Sequence, residues 1–321
     1  MPDAILKVQD LTRLFRVGGF RSRGQLHAID EVSFDVAPGE IVALVGESGS
    51  GKSTIARVLS GLYPATSGSF VFEGKAMGRR QVRSSRGDMP MVFQDPFGSI
   101  NPVLRAGHGL LRTLKLHRPD IKRSDRFAEA VSLVEKVGLT PGDELLRRYP
   151  HELSGGQRQR LGFAQALASR PSLILADEPV SMLDVSIRIG LLNVMKGLRD
   201  NEGVSILYIT HDLASARYVA DRMIVLYAGR IAEEGLTNEV IGSPQHPYTR
   251  LLMSSAPDPH LAPTAFDGDD LGEPPKVIDP GPGCRFAPRC PLAMDQCRVS
   301  TPPMVALSAT HHAACYAVKQ Q

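Results

Sequence analysis

Nine consecutive residues, Gly46-Glu47-Ser48-Gly49-Ser50-Gly51-Lys52-Ser53-Thr54, have the types and spacing that hold a polyphosphate. The glycines let the backbone curl so that the N–H groups of Gly46, Ser48, Gly49, Ser50, Gly51 and Thr54 converge on anionic oxygens. Lys52 can reach the outer phosphates and the Ser53 hydroxyl can ligate Mg²⁺. The apolar run Ile41 to Val45 precedes this stretch and the helix-favouring run Ile55 to Leu59 follows it. The context is therefore a strand, a glycine loop and a helix start.

Other residues could complete such chemistry. The apolar run Leu173 to Ala176 reads as a strand buried on both faces, and it delivers Asp177 and Glu178 at its C-terminal end, where open α/β sheets bind ligands. Asp177 would join the Mg²⁺ shell while Glu178 orients or deprotonates an attacking water; the plainer alternative is an acidic pair opening a helix. A second buried strand, Val204 to Ile209, ends at Thr210-His211-Asp212, so His211 could reach a terminal phosphate. Ser154-Gly155-Gly156-Gln157 stands at the start of a helix running through Ala168 and offers a second anion-binding nose. Phe15 either stacks on a nucleotide base or is a buried strand aromatic.

The chain has 321 residues, 42% of them hydrophobic, enough for one large domain or a domain with an appendage. The formal charge of +3 (37 basic minus 34 acidic residues) is too small to argue for nucleic acid. The first ten residues lack signal-peptide character, and no apolar run approaches the roughly 18 residues that cross a membrane. The expectation is a soluble, cytoplasmic chain. Strands are expected at Ile5 to Leu11 and Ala28 to Phe34, as a hairpin around a Gly/Arg-rich loop from Val17 to Gly24, and again at Ser69 to Phe72 and Met91 to Phe93. A basic, loop-like piece runs to Asp88. From Leu104 to Arg148 the pattern turns helical, with Phe127, Val131, Val134 and Val137 along one stripe, a subdomain inserted at about 100–168.

The ordered set of phosphate loop, Gln94, Leu153-Ser154-Gly155-Gly156-Gln157, Asp177-Glu178, Ser181-Met182-Leu183-Asp184 and His211 resembles the nucleotide-binding subunit of an ABC transporter over residues 5–255. The resemblance implies an α/β fold: a RecA-like ATPase core with an antiparallel β subdomain and an inserted helical subdomain. It also implies a head-to-tail dimer in which each ATP lies between the phosphate loop of one subunit and Ser154, Gly155, Gly156 and Gln157 of the other. By position, Phe15 matches the base-stacking aromatic; Ser53, Gln94 and Asp177 match the Mg²⁺ shell; Glu178 matches the general base and His211 the γ-phosphate contact. Gln94 would also sense the transmembrane partner, and Asp184 would communicate between the two ATP sites. Met182 departs from the alanine that relatives often carry.

Two further stretches are similar to importers of oligopeptides and dipeptides: Gln94 to Pro102, and His246-Pro247-Tyr248-Thr249-Arg250-Leu251-Leu252. Asp177 to Ser186 looks more like the second of their two paired ATPases. This implies a heterodimer with another ATPase, two transmembrane permeases, an indirect link to a solute-binding protein, and a peripheral position on the cytoplasmic face of the membrane. Nickel complexes, glutathione or other small solutes are alternative cargoes. A soluble ABC-type ATPase acting on nucleic acid or ribosomes is the alternative class; a single cassette, the absence of a long heptad insertion and the low net charge weigh against it, and export is disfavoured by the separate chain. After Ser255 the composition turns to Pro, Gly and Asp, marking 256–321 as an irregular extension. It carries all four cysteines, Cys284, Cys290, Cys297 and Cys315. Four thiols within 32 residues can gather around one centre, a 4Fe–4S cluster by resemblance to importer ATPases, or zinc, or can remain reduced thiols. His311 and His312 read as a solvated pair.

Overall fold

Alternating apolar and polar residues near both ends of the chain's first strands build a one-sided sheet. In the computed structural model, which describes residues 4–18, 24–85, 87–95, 98, 100–254 and 277–318, β1 (Leu6–Val17) and β2 (Gly24–Val36) pair antiparallel. The strands are longer than the expected hairpin. Asp10 and Glu31, at φ of 48° and 53°, mark bulges where the register shifts, so the apolar alternation breaks before the pairing does.

β3 (Ile41–Val45) then enters the main sheet, while β4 (Ser67–Phe72) and β5 (Lys75–Ala76) complete a four-stranded antiparallel sheet in the order β2-β1-β4-β5. The basic piece expected as loop contains a helix, Arg79–Ser84. β6 (Met91–Val92), β7 (Leu173–Asp177), β8 (Ser205–Thr210) and β9 (Arg222–Tyr227) join β3 in parallel, and β10 (Arg230–Leu236) returns antiparallel to β9. Every residue of β3, β7 and β8 is buried, as strands covered on both faces must be.

Helices Gly107–His117, Arg126–Lys136, Gly142–Arg147 and Gly155–Leu167 form the inserted subdomain. Of the expected stripe, Val134 and Val137 are fully buried and Phe127 and Val131 pack against the same core. The extension is mostly irregular, but it is tied to the main sheet. β11 (Val305–Ala306) and β12 (His312–Ala313) continue that sheet beyond β10, giving eight strands in the order β11-β12-β10-β9-β3-β8-β7-β6. His311 is not solvated: it is 6% exposed and its Nε2 lies 2.7 Å from Glu233, itself completely buried. Among the described residues no helix is long and apolar enough to cross a membrane.

Candidate nucleotide site

The phosphate loop leaves β3 and feeds the helix Lys52–Leu59. Two glycines in it meet a steric requirement. Gly46 (φ 152°) and Gly51 (φ 107°) hold backbone angles that L side chains rarely adopt, and a Cβ there would strike the carbonyl oxygens of Leu226 and Ala28. Lys52 is 4% exposed and its ammonium donates to Gly46 O at 2.6 Å and Glu47 O at 2.8 Å. Burial lowers its pKa, opposed by Glu178, Asp177 and Glu47. Its third contact is the Ser50 hydroxyl at 3.4 Å, and a cation held by neutral oxygens at the loop's centre is placed to exchange them for phosphate oxygens.

The two carboxylates at the end of β7 have different surroundings. Asp177 is 4% exposed and accepts the Ser53 hydroxyl at 2.7 Å; burial raises its pKa, and the Ser53 bond works against that rise. Glu178 sits at φ 46°, with its N–H on Ile209 O of β8 at 2.9 Å. Its Oε2 accepts from Gln94 Nε2 at 3.2 Å and lies 3.1 Å from His211 Nδ1. Three residues from three loops at adjacent strand ends thus meet at one oxygen. Ser53, Gln94 and Asp177 supply the uncharged and anionic oxygen donors that suit Mg²⁺.

One open cleft is lined by Phe15, Gly46, Ser48, Gly49, Gly51, Lys52, Ser53, Thr54, Gln94, Glu178 and His211. Ser50 lies beneath the loop, 3% exposed. Phe15 is half-buried and its ring meets Tyr63 edge-on at 5.4 Å, with the Arg13 guanidinium 4.4 Å from the ring centre. Phe15 and Tyr63 give the cleft an aromatic wall that fits a flat base, with Arg13 packed on the Phe15 ring; neither Tyr63 nor Arg13 carries a sequence signal.

Ser154, Gly155, Gly156, Gln157 and Asp184 do not line this cleft. Ser154 caps its helix by a reciprocal pair: its Oγ accepts the Gln157 N–H at 3.2 Å, and Gln157 Oε1 accepts the Ser154 N–H at 3.0 Å. Asp184 precedes the helix Val185–Glu202 and makes no side-chain cap bond. Of the Gln94 to Pro102 stretch, Pro96, Phe97 and Ser99 lie outside the described residues, as do 19–23 of the first loop and 255–276 of the linker.

Residues from beyond position 245 also reach the cleft. Leu252, Val277, Ile278 and Arg289 line it; the His27 N–H donates to Val277 O at 2.8 Å, and Tyr248 OH accepts the Glu47 N–H at 2.8 Å. Tyr248 and Leu252 belong to the stretch His246 to Leu252, whereas no local motif announces Val277, Ile278 or Arg289, which arrive from over 200 residues beyond the phosphate loop.

The four cysteines are free thiols. Burial is the largest influence on Cys284, Cys290 and Cys315 and raises their pKa values, Cys290 to about 11, and the neighbouring cysteines push the same way. The backbone N–H groups of Phe286 and Ala287 near Cys284, of Leu292 near Cys290, and of Ala317 and Val318 near Cys315 work against that rise. Yet among the described residues no three His, Cys, Asp or Glu side chains are placed to hold one metal ion. The thiols share a neighbourhood without forming the expected centre.

Residues 29–181 match the family model described as ABC transporter, and residues 232–297 match the model described as oligopeptide/dipeptide transporter, C-terminal region. The di/tripeptide transport ATP-binding protein DppF of Pseudomonas aeruginosa is 40% identical, over 97% of this chain and 98% of that protein. The oligopeptide transport ATP-binding protein OppF of Haemophilus influenzae is 38% identical, over 98% of each. A solved ATP-binding cassette, in a dimeric post-hydrolysis state bound to ADP and Pi, superposes with a TM-score of 0.64 and 27% identity, covering 72% of this chain and 98% of the other. With its phosphate loop, its strand-end carboxylates and its C-terminal region all in one molecule, the chain belongs to the ATP-binding subunits of ABC transporters.

Proposed function

We propose that this chain is the ATP-hydrolysing subunit of an importer for peptides or related small solutes, working on the cytoplasmic face of a membrane with a second ATPase and two permease subunits. A solute-binding protein would choose the cargo. The observation that carries the reading is the meeting of Gln94, Glu178 and His211 at one carboxylate oxygen facing the Lys52 loop. In this reading residues 1–255 are the nucleotide-binding domain, with a helical subdomain at about 100–168, and 256–321 are the extension.

The loop amides and Lys52 bind and orient the polyphosphate, and Phe15 and Tyr63 take the base. Glu178 accepts the proton of the attacking water, and His211 holds the terminal phosphate side. Mg²⁺, held by Ser53, Gln94 and Asp177, would neutralise charge on the outer phosphates. Ser154, Gly155 and Gly156 lie away from the cleft of their own chain, which supports their use on a partner's ATP, with Asp184 near that contact. Closure is then favoured by ATP because only the closed dimer engages it from both sides.

The test is affinity purification of the tagged chain from gently solubilised membranes of its native host. Two integral membrane proteins and a second ATPase are expected with it. Recovery with ribosomes or nucleic acid, and no membrane protein, would overturn the transport reading.

A finer reading concerns the cysteines: that Cys284, Cys290, Cys297 and Cys315 draw together around a structural 4Fe–4S cluster, with zinc as the alternative. The backbone N–H groups that counter the effect of burial at three of the four thiols support it, since such groups favour thiolate over thiol. Protein purified without oxygen should be brown, with iron and sulfide in near-equal amounts; colourless, metal-free protein would sink both versions.

A further inference from the structure

We propose that Arg289, in the C-terminal extension, is a positioning residue of the ATP site, clamping and neutralising Glu47 so that the phosphate loop can accept a polyphosphate without an uncompensated carboxylate beside it. The inference rests on reading this cleft as an ATP site.

Glu47 is the second residue of the loop, and each of its polar groups is engaged. Its N–H donates to Tyr248 OH, its carbonyl accepts Lys52 Nζ, and its carboxylate takes a two-pronged bond from Arg289, Nη1 to Oε2 at 2.9 Å and Nη2 to Oε1 at 3.1 Å. The pair is largely withdrawn from water, with side chains 11% and 23% exposed for Arg289 and Glu47. A carboxylate in that position repels an incoming polyphosphate, and low solvent access leaves the repulsion weakly screened. The fork of the guanidinium matches both carboxylate oxygens, and a point charge on a flexible stem would not fix the loop in the same way.

Arg289 is itself held. It ends the three-residue 3₁₀ turn Ala287–Arg289, donates to Tyr227 OH at 3.3 Å, and lies 5.8 and 5.9 Å from the ring centres of Tyr227 and Phe286. The neighbouring Arg285 pairs with Asp30 and donates to Ala228 O, fixing the same turn to the core. The extension is thus seated so that its arginine faces the loop that binds phosphate.

The experiment measures equilibrium binding of ATP with Mg²⁺ to the full chain and to four variants, Arg289→Ala, Arg289→Lys, Glu47→Gln and Glu47→Gln with Arg289→Ala, with a thermal melt of each. Arg289→Ala should weaken binding about tenfold, the scale of one charge-assisted contact. In the double variant, affinity should return to within about threefold of Glu47→Gln alone, because removing the carboxylate removes the need for its counter-charge. A side chain that only packs the extension would give no such rescue. If Arg289→Ala does not fold, Arg289→Lys carries the test: it should weaken binding severalfold, and the Glu47→Gln partner change should erase that loss. Unchanged affinity in the Arg289 variants, or a double variant as weak as Arg289→Ala, overturns the proposal. Failure of the unaltered chain to bind ATP would overturn the ATP reading itself, and this inference with it.

Discussion

The two halves of the nucleotide cleft are supported in different ways. On one side, Asp177, Glu178 and His211 stand at the ends of parallel strands, and Lys52 opens the helix reached by the loop from β3; the ladders run through the middle of the sheet, with β3 bonded to β8 and β9, and β8 to β7. On the other side, Tyr248 and Arg289 stand on a short helix and a single 3₁₀ turn, and an aromatic cluster does the work of a ladder. Tyr227 and Tyr248 lie 4.4 Å apart, and Phe286 sits 5.1 and 5.6 Å from them. A sheet distributes positional precision over many backbone bonds, whereas the seat of the extension against the core concentrates it in a few rings. Damage should therefore be graded on the sheet side and abrupt on the extension side.

Three measurements bear on that contrast. The largest effect belongs to the strand ends: Glu178→Gln should retain ATP binding and lower hydrolysis in the assembled complex by about 10²- to 10⁴-fold, the usual value of a general base. Normal turnover by that variant would remove Glu178 from the chemistry. Next, Phe286→Ala should destabilise the native state by about 3–5 kcal/mol in denaturant unfolding, since the ring is 1% exposed and its loss opens a cavity among the tyrosines. ATP affinity should fall with it. A large stability loss with unchanged affinity would uncouple the extension from the loop.

The smallest effect is a pH dependence. His246 is 3% exposed and its Nδ1 accepts the Tyr248 N–H at 3.0 Å; burial pushes its pKa down to about 4, although Glu233 pulls upward and Arg250 downward. An unfolded histidine titrates near 6.5, so between those values the unfolded chain binds a proton that the native chain refuses. Stability is then full above about pH 6.5 and falls towards pH 4 by at most about 1.4 kcal/mol per unit. Melts of the unaltered chain and His246→Asn, whose amide oxygen preserves the acceptor, should diverge in slope over that window. Parallel slopes would assign the acid sensitivity elsewhere.

The same contrast explains which features were legible. The phosphate loop, the strand-end carboxylates and the capped helix at Ser154 are each defined within about ten residues, so spacing alone announces them. The helix Arg79–Ser84 escaped because its run is short and basic, with little apolar periodicity to read. His311 looked like a surface residue next to His312, and only the fold reveals Glu233 waiting 78 positions earlier. Arg289 had no local signal at all: its partner lies 242 residues away. The cysteine spacing suggested a common centre, and the fold brings the thiols near one another without arranging three of them as ligands.

The eight-stranded sheet also ends, on both sides, in a strand of only two residues, β6 at Met91–Val92 and β11 at Val305–Ala306. A long free edge would offer its unpaired backbone groups to any passing strand, and a chain that must meet several partner subunits is poorly served by such indiscriminate adhesion. At one margin the stub is drawn from the C-terminal extension. That segment therefore has a third service, blunting the sheet so that association is left to side-chain surfaces rather than to backbone.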